Sequence, residues 1–409
     1  MTTTRNDETT GIYVHIPFCV RKCPYCGFYS EAVGKRPEGD VLTRYFDALK
    51  KELSIKTAAA GLCGGPLRTP AADTIYFGGG TPSLAGAGRI AEMIETLKGV
   101  FAVPEDAEIS IEANPGTVDY ETLKEYREAG VNRLSIGAQS FDDGVLGVLG
   151  RIHTAEDAVR AYEDARRAGF ENVSLDLIFS VPGMDLGTWM DTVRTCADLA
   201  PDHISAYSLQ FEEGTPFYDR LKAGTLEETP DELDRKMYHE AIRYLGSRGC
   251  GWYEISNFAK PGMECRHNVK YWRFSDYLGL GAGASSFVNG VRTANLTAGY
   301  PDAVEKAYDA FTGGQRAEDA QDLLFSEKNV NTREDDMGEY LFTGLRMLSG
   351  IDLSDFRRRF GEEFEDAYAG VLPELREYED AGCIKKDAGR LFLTEKGIDI
   401  SNQIMALFV

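Results

Sequence analysis

Short apolar segments alternate with helical segments six times in the first half of this chain. The strand candidates are rich in Ile, Val, Leu, Tyr and Phe and are bounded mostly by Gly, Pro or Asn; they cover residues 12–18, 74–77, 108–112, 133–138, 173–179 and 203–209. This alternation predicts a parallel sheet with right-handed crossovers. Six units are too few for a closed eight-stranded barrel. We therefore expect an α/β fold, a partial (β/α)6 TIM-like barrel, with its site at the carboxyl ends of the strands.

The charge balance restricts the partners of the chain. It has 44 basic and 66 acidic side chains, a net charge of −22 over 409 residues, so its surface repels phosphate backbones and we expect no nucleic-acid partner. No apolar run approaches the roughly 18 to 20 residues of a membrane span, and residues 1–10 lack the apolar centre of a signal peptide. We expect a cytoplasmic protein without a transmembrane segment. A peripheral position at the inner face of the membrane is left open.

The sequence divides into four regions. We expect a disordered tail at 1–10, the barrel at 11–215, an aromatic- and glycine-rich extension and linker at 216–335, and a small α+β domain at 336–409. In the last region, helices predicted at 338–348, 352–360 and 362–381 precede a hairpin with a turn at 387–389, which resembles a winged-helix domain. Residues 331–409 carry 10 basic and 17 acidic side chains. That balance favours a packing or interaction role over DNA binding.

Three cysteines follow the first predicted strand closely. Cys19, Cys23 and Cys26 form a C-x3-C-x2-C pattern within HIPFCVRKCPYCGF. Thiolates are the ligands of iron–sulfur clusters, and three of them leave one iron of a cubane without a protein ligand. The alternatives are three structural thiols or a zinc site that lacks a ligand. Zinc usually takes four ligands as two pairs, and no second pair lies nearby in the sequence. In a reducing compartment, thiols or metal ligands are also expected more often than disulfides.

Further motifs fall at the ends of successive predicted strands. GGGTP, residues 78–82, follows the second strand, Glu112 ends the third, and Gln139 ends the fourth, with Arg151 shortly after it. Glycines let a backbone approach a ligand closely. Asp176 lies inside the apolar fifth strand, where a carboxylate is costly to bury without a partner. It is therefore either a structural hydrogen-bond anchor or, as we favour, a ligand contact.

The cysteine pattern and these motifs together resemble the radical S-adenosylmethionine superfamily. In that superfamily the open iron of a [4Fe-4S] cluster binds the amino and carboxylate groups of S-adenosylmethionine, and electron transfer from the reduced cluster generates a 5′-deoxyadenosyl radical. The resemblance implies that Cys19, Cys23 and Cys26 hold the cluster. It also implies a reductant such as flavodoxin or ferredoxin, and contacts to S-adenosylmethionine from Tyr13, Tyr25, Gly78, Gly79, Gly80, Thr81, Glu112, Gln139, Arg151 and Asp176.

Within this superfamily, HIPFC, GGGTP, IEANP, GAQSF and DLIFSVPG are similar to the HemN/HemW branch, which holds oxygen-independent coproporphyrinogen III oxidases and their relatives. Two features depart from the oxidases. Phe28 stands where the oxidases have a fourth cysteine, and HNVKYW, residues 267–272, matches the HNxxYW signature of the haem chaperones of the branch. The resemblance therefore implies haem as cargo and haem-requiring respiratory proteins as acceptors. A homodimer is left open.

His267 is our candidate haem ligand, because an imidazole nitrogen is a good axial ligand for haem iron. In the alternative interpretation HNVKYW is a packed corner in which His267 and Asn268 satisfy local hydrogen bonds. Two enzymatic alternatives also stay open: a coproporphyrinogen III oxidase or dehydrogenase of porphyrin biosynthesis, and a radical methyltransferase. A scaffold that has lost its cluster is a further alternative, and the intact cysteine triplet argues against it.

Overall fold

The computed structural model describes residues 9–34, 40–60 and 71–409. Residues 1–8 of the predicted tail lie outside the described residues. Thr9 and Thr10 do not belong to a tail, because they begin the first strand and pair with Ala71 and Ala72 of its neighbour. The predicted boundaries at 215 and 335 stay predictions.

Six parallel strands lie side by side in chain order and confirm the predicted strand–helix units. They are β1 (Thr9–Ile16), β4 (Ala71–Gly79), β5 (Glu108–Ala113), β6 (Arg133–Gln139), β7 (Asn172–Phe179) and β8 (His203–Ser208). Two short strands, β2 (Phe18–Cys19) and β3 (Glu31–Ala32), pair on either side of the cysteine segment. All carboxyl ends of the six parallel strands therefore meet at one end of the barrel, next to the cysteines.

Helices cover the outer face of these strands. They are α1 (Val41–Ala59), α2 (Ala87–Lys98), α3 (Tyr120–Glu128), α4 (Asp143–Val148), α5 (Ala155–Arg167) and α6 (Leu186–Leu199). Their starts follow from capping chemistry: Asp119 accepts from the backbone of α3, and Thr154 forms a capping box at α5. Alternate residues of each strand, such as Leu134 and Ile136 of β6, are fully buried. In the described part of the chain, no helix is long and apolar enough to cross a bilayer.

The region 216–335 extends the same sheet at both edges. It holds α7 (Pro216–Lys222), α8 (Asp231–Ser247), α9 (Arg266–Trp272), α10 (Tyr300–Thr312) and α11 (Ala317–Gln321). Its strands are β9 (Gly251–Glu254), β10 (Asn257–Ala259), β11 (Tyr277–Leu280), β12 (Ser285–Val288), β13 (Val291–Asn295) and β14 (Phe325–Val330). Strand β11 runs parallel to β1, and the other five are antiparallel to their neighbours. The aromatic- and glycine-rich region is thus a structural part of the sheet.

The C-terminal unit has the expected α+β architecture with a small three-stranded sheet. It contains α12 (Arg333–Gly344), β15 (Ile351–Asp352), α13 (Leu353–Phe360), α14 (Phe364–Ala367), α15 (Leu372–Asp380), β16 (Ile384–Asp387), β17 (Arg390–Leu393), α16 (Glu395–Ile398) and α17 (Ser401–Met405). The hairpin β16–β17 turns at 388–389, as predicted. The prediction of one continuous helix over residues 362–381 is wrong. These residues form two helices, and Pro373 stands in the first turn of the second, a position that proline favours.

Candidate functional site

A cavity of about 580 Å³ opens between the cysteine segment and the carboxyl ends of the parallel strands. Eleven of the fourteen predicted site residues line it: Cys19, Cys23, Cys26, Tyr25, Gly79, Gly80, Thr81, Glu112, Gln139, Arg151 and Asp176. Tyr13, Gly78 and His267 do not form its wall. The fold therefore brings together residues from six separate segments of the chain, as the parallel arrangement of the strands predicts.

The three thiols lie around one side of the cavity and are free and partly buried. Thr81 Oγ1 donates to Cys19 Sγ at 3.6 Å, and Arg151 Nη1 donates to Cys23 Sγ at 3.6 Å. Burial raises the pKa of the Cys26 thiol. Within the described ranges, no three His, Cys, Asp or Glu side chains are close enough to hold one metal ion. The spacing gives no support to a single zinc ion, whereas a cluster takes its thiolates on separate irons.

The glycine turn after β4 packs directly against β1. Gly79 has φ +116°, and a Cβ on it would lie 2.6 Å from the ring of His15. Its backbone N–H donates to Glu112 Oε2 at 3.0 Å. His15 in turn makes a 3.0 Å hydrogen bond through Nε2 to the carbonyl of Tyr29, just beyond the cysteines. The turn is thus fixed to both the cysteine segment and β5, and leaves no room for a side chain.

We expect a Gly79→Ala substitution to lower the free energy of unfolding by about 2–4 kcal/mol, since the added methyl meets the His15 ring and alanine is strained at this φ. Urea unfolding followed by circular dichroism measures the change. Gly88→Ala in α2 is the matched control, because a Cβ at Gly88 meets no atom within 4 Å and alanine favours a helix. Equal stability of the two variants would contradict the packing argument.

Two carboxylates stand inside the barrel below the glycine turn. Glu112 accepts from Tyr76 Oη at 2.9 Å as well as from Gly79. Asp176 accepts from Ser135 Oγ at 3.0 Å and from Ser174 Oγ at 3.1 Å. Burial, together with the charge of Asp176, raises the pKa of Glu112 to about 7; burial also raises the pKa of Asp176. These groups can accept hydrogen bonds from hydroxyl groups, or balance a cation that enters the cavity.

The raised pKa of Glu112 predicts a pH dependence of stability. The unfolded chain ionises this carboxyl near its ordinary value of 4.5, but the folded chain holds the proton up to about pH 7. The folded state therefore loses stability as pH rises from 4.5 to 7, by up to about 3 kcal/mol. A Glu112→Gln variant lacks this loss, so its stability relative to wild type should rise over that range. Urea midpoints of cluster-free protein at pH 4.5 and 8 test this, with exposed Glu305→Gln as control; parallel profiles would refute it.

Gln139 and Arg151 show the features of a ligand site. Gln139 has φ +64° at a register shift between β6 and β7, a strained conformation that is common at functional sites. Arg151 Nη2 donates to the carbonyl of Gly137 at 2.9 Å, and its buried Nε has no hydrogen-bond partner. A guanidinium with a free N–H fits a carboxylate. Three thiols, a cationic donor and two carboxylates around one cavity therefore fit an iron–sulfur cluster and a zwitterionic ligand such as S-adenosylmethionine.

His267 lies in a different setting from the other predicted site residues. It is 1 % exposed, Nδ1 makes a 2.9 Å hydrogen bond with Thr74 Oγ1, and Nε2 makes one of 2.7 Å with Tyr271 Oη. Its ring stacks on Tyr76 at 5.2 Å, and Glu108 accepts from its backbone N–H. Burial lowers the pKa of His267 to about 3. Neither ring nitrogen is free to bind iron in this conformation, so the structure favours the packed-corner interpretation of HNVKYW.

The sequence argument missed several residues that line the cavity. Among them are Tyr76, Arg133, Ser135, Ser205, Tyr207 and Asn268. Arg133, Ser135, Gly137 and Gln139 are alternate residues of β6 and all face the cavity, so the period of two along the strand was the available signal. Asn268 had no such signal. It reaches the cavity because α9 packs against β4, where His267 is hydrogen-bonded to Thr74.

Comparison with known proteins agrees with this geometry. The family model for the radical SAM superfamily matches residues 13–196, and the model for the HemN C-terminal domain matches residues 331–400. Heme chaperone HemW of Bacillus subtilis is 34 % identical over 97 % of this chain and 98 % of its own length. Heme chaperone HemW of Escherichia coli is 32 % identical over 98 % of each chain.

A solved structure confirms the fold. The radical SAM enzyme coproporphyrinogen III oxidase (HemN) of Escherichia coli superposes with a TM-score of 0.79, over 98 % of this chain and 90 % of that one, at 24 % identity. At this identity the likeness shows the architecture alone. The full-length identity to the HemW proteins is what decides the family. The chain belongs to the radical SAM superfamily and, within its HemN/HemW branch, to the HemW family.

Proposed function

We propose that this protein is a haem chaperone, which binds haem and transfers it to haem-requiring proteins of respiration. The observation that carries the proposal is the identity of 30–34 % with proteins named heme chaperone HemW over at least 97 % of this chain. Phe28 supports it, because it replaces the fourth cysteine expected of the oxidases. The likeness to the oxidase HemN extends to the fold and is equally compatible with a protein that has the barrel but not the reaction.

The cavity fits the two cofactors that the superfamily implies. Cys19, Cys23 and Cys26 would hold a [4Fe-4S] cluster, and the unpartnered N–H of Arg151 would face the carboxylate of S-adenosylmethionine. Glu112 would be ionised by the charge of an ammonium group beside it, since a nearby cation lowers the pKa of a carboxyl. When bound and reduced, such a cluster supplies one electron to the sulfonium. The residues of the chain would hold and orient these groups.

Haem titration with and without an intact cluster tests the proposal. The protein, reconstituted anaerobically, should bind haemin in a saturable way, with a change in the haem absorbance spectrum, and should release it to an apo-protein acceptor. Incubation with coproporphyrinogen III, S-adenosylmethionine and a reductant such as flavodoxin should give no protoporphyrinogen. Absence of saturable haemin binding would overturn the proposal, and protoporphyrinogen formation would replace it with the oxidase alternative.

A further inference from the structure

Phe28 presents its side chain to solvent at the mouth of the cavity. Its exposed fraction is 69 %, although it follows the third thiol by only two residues. Gly27, the residue before it, packs closely against Glu212: a Cβ on Gly27 would lie 2.9 Å from that side chain. Phe28 also lines the cavity. A large apolar side chain held in water next to a ligand site is unusual for structural reasons alone, because burial of a phenylalanine is favourable.

Apolar side chains from other segments line the same cavity as Phe28. Ile178 of β7, Tyr207 of β8 and Leu209 line the same cavity, and Tyr207 is 43 % exposed. An aromatic side chain on the cysteine segment and another on β8 therefore line one cavity. Flat aromatic ligands are commonly held in this way, by stacking and edge contacts with aromatic rings.

Two cations are adjacent in sequence on the cysteine segment that also carries Phe28. Arg21 lines the cavity, where its Nη2 donates to the carbonyl of Gly150, and Lys22, next to it in the chain, is exposed. The chain as a whole carries −22, so two adjacent cations are a local departure from its acidic surface. An apolar surface with cations at its border matches a ligand that is largely apolar and carries carboxylates.

We propose that the mouth of the cavity, with Phe28 as its apolar contact and Arg21 and Lys22 as its cationic contacts, is the docking site for the haem macrocycle and its propionates. This inference rests on the proposed haem-chaperone function and says where on the chain the cargo sits. It places the haem beside the cysteine segment and not at HNVKYW, where both nitrogens of His267 are already hydrogen-bonded.

Haemin titration of the full chain, with and without a reconstituted cluster, tests the site with a matched pair of variants. Phe28→Ser should weaken haemin binding by about tenfold or more, since burial of a phenylalanine ring contributes this much to affinity. Val330→Ser is the control, because Val330 is 66 % exposed on β14 and does not line the cavity. Both positions are exposed, so neither variant should change the urea midpoint. Metal-free protoporphyrin IX should show the same loss with Phe28→Ser, because the contact is with the ring.

Two further variants separate the mouth from the HNVKYW motif. Lys22→Gln should weaken haemin binding by roughly two- to fivefold, and the difference should shrink in high salt. His267→Gln should leave the affinity of folded protein unchanged. If Phe28→Ser binds as wild type does, or if His267→Gln alone loses haemin, the mouth site is wrong and the proposed function stands. If wild-type protein binds no haemin, the proposed function itself fails, and this inference fails with it.

Discussion

A Cys23→Ser variant should purify anaerobically with almost no iron or sulfide, whereas wild-type protein should carry a cluster. Cys23 lies between the other two cysteines of the triplet, and its sulfur accepts a hydrogen bond from Arg151 at the cavity wall. A cubane held by three thiolates has no protein ligand in reserve. We therefore expect the broad visible absorbance and the electron paramagnetic resonance signal of the reduced cluster to disappear. Iron and sulfide analysis measures the loss directly.

Cys383→Ser is the matched control for this experiment. Cys383 is also a free thiol, but it is buried in the C-terminal unit at the start of the β16–β17 hairpin and does not line the cavity. Its substitution should leave the iron content unchanged. If Cys23→Ser keeps its iron, or if both variants lose it equally, the triplet does not hold the cluster. Zinc in place of iron in anaerobically prepared wild-type protein would also show that the triplet does not hold an iron–sulfur cluster.

The part of the fold that sequence predicts well is the part that local chemistry determines. Each of the six parallel strands is a short β-branched or aromatic segment, and the helices α3 and α5 start at Asp119 and Thr154, where capping side chains stand in the sequence. Because parallel strands bring their carboxyl ends together, the residues that the family resemblance implies at or near those strand ends are expected to lie close to one another. This explains why eleven of the fourteen predicted residues share one cavity.

What the sequence does not reveal depends on contacts between distant segments. Strand β11 pairs with β1 although more than 250 residues separate them, and no local pattern indicates that pairing. The environment of His267 also depends on contacts between segments that are far apart in the sequence. Its hydrogen-bond partner Thr74 is 193 positions away, so the sequence alone could not decide between an iron ligand and a packed corner for His267.

A buried ion pair on α1 contacts the end of β11. Glu52 and Lys56, one turn apart on α1, are joined at 2.9 Å and are almost completely buried. Lys56 also donates to the carbonyl of Gly279 at 2.9 Å, and Glu52 accepts from the backbone N–H of Gly281 at 2.8 Å. Asn295 donates to Glu52 at 2.6 Å. The pair thus connects α1 to the end of β11 and to β13.

We expect Lys56→Met to lower the free energy of unfolding by about 3–5 kcal/mol, because it leaves the carboxylate of Glu52 buried without its counter-charge. Lys51→Met on the same helix is the control. Its ion pair with Glu305 is largely exposed, so its loss should cost no more than about 1 kcal/mol. Urea midpoints followed by circular dichroism compare the two variants.

The Lys56→Met variant also tests whether the region 216–335 supports the cavity beside the three cysteines. Tyr45 of α1 donates to the carbonyl of His15 and accepts from the backbone N–H of Ala282, each at 2.9 Å, so the segment after β11 is connected to the residue that packs on Gly79. If the buried pair holds this segment, Lys56→Met should lose iron to a chelator faster than Lys51→Met does. Equal unfolding midpoints and equal iron loss in the two variants would mean that the pair is dispensable and that the extension is held by its strand pairing alone.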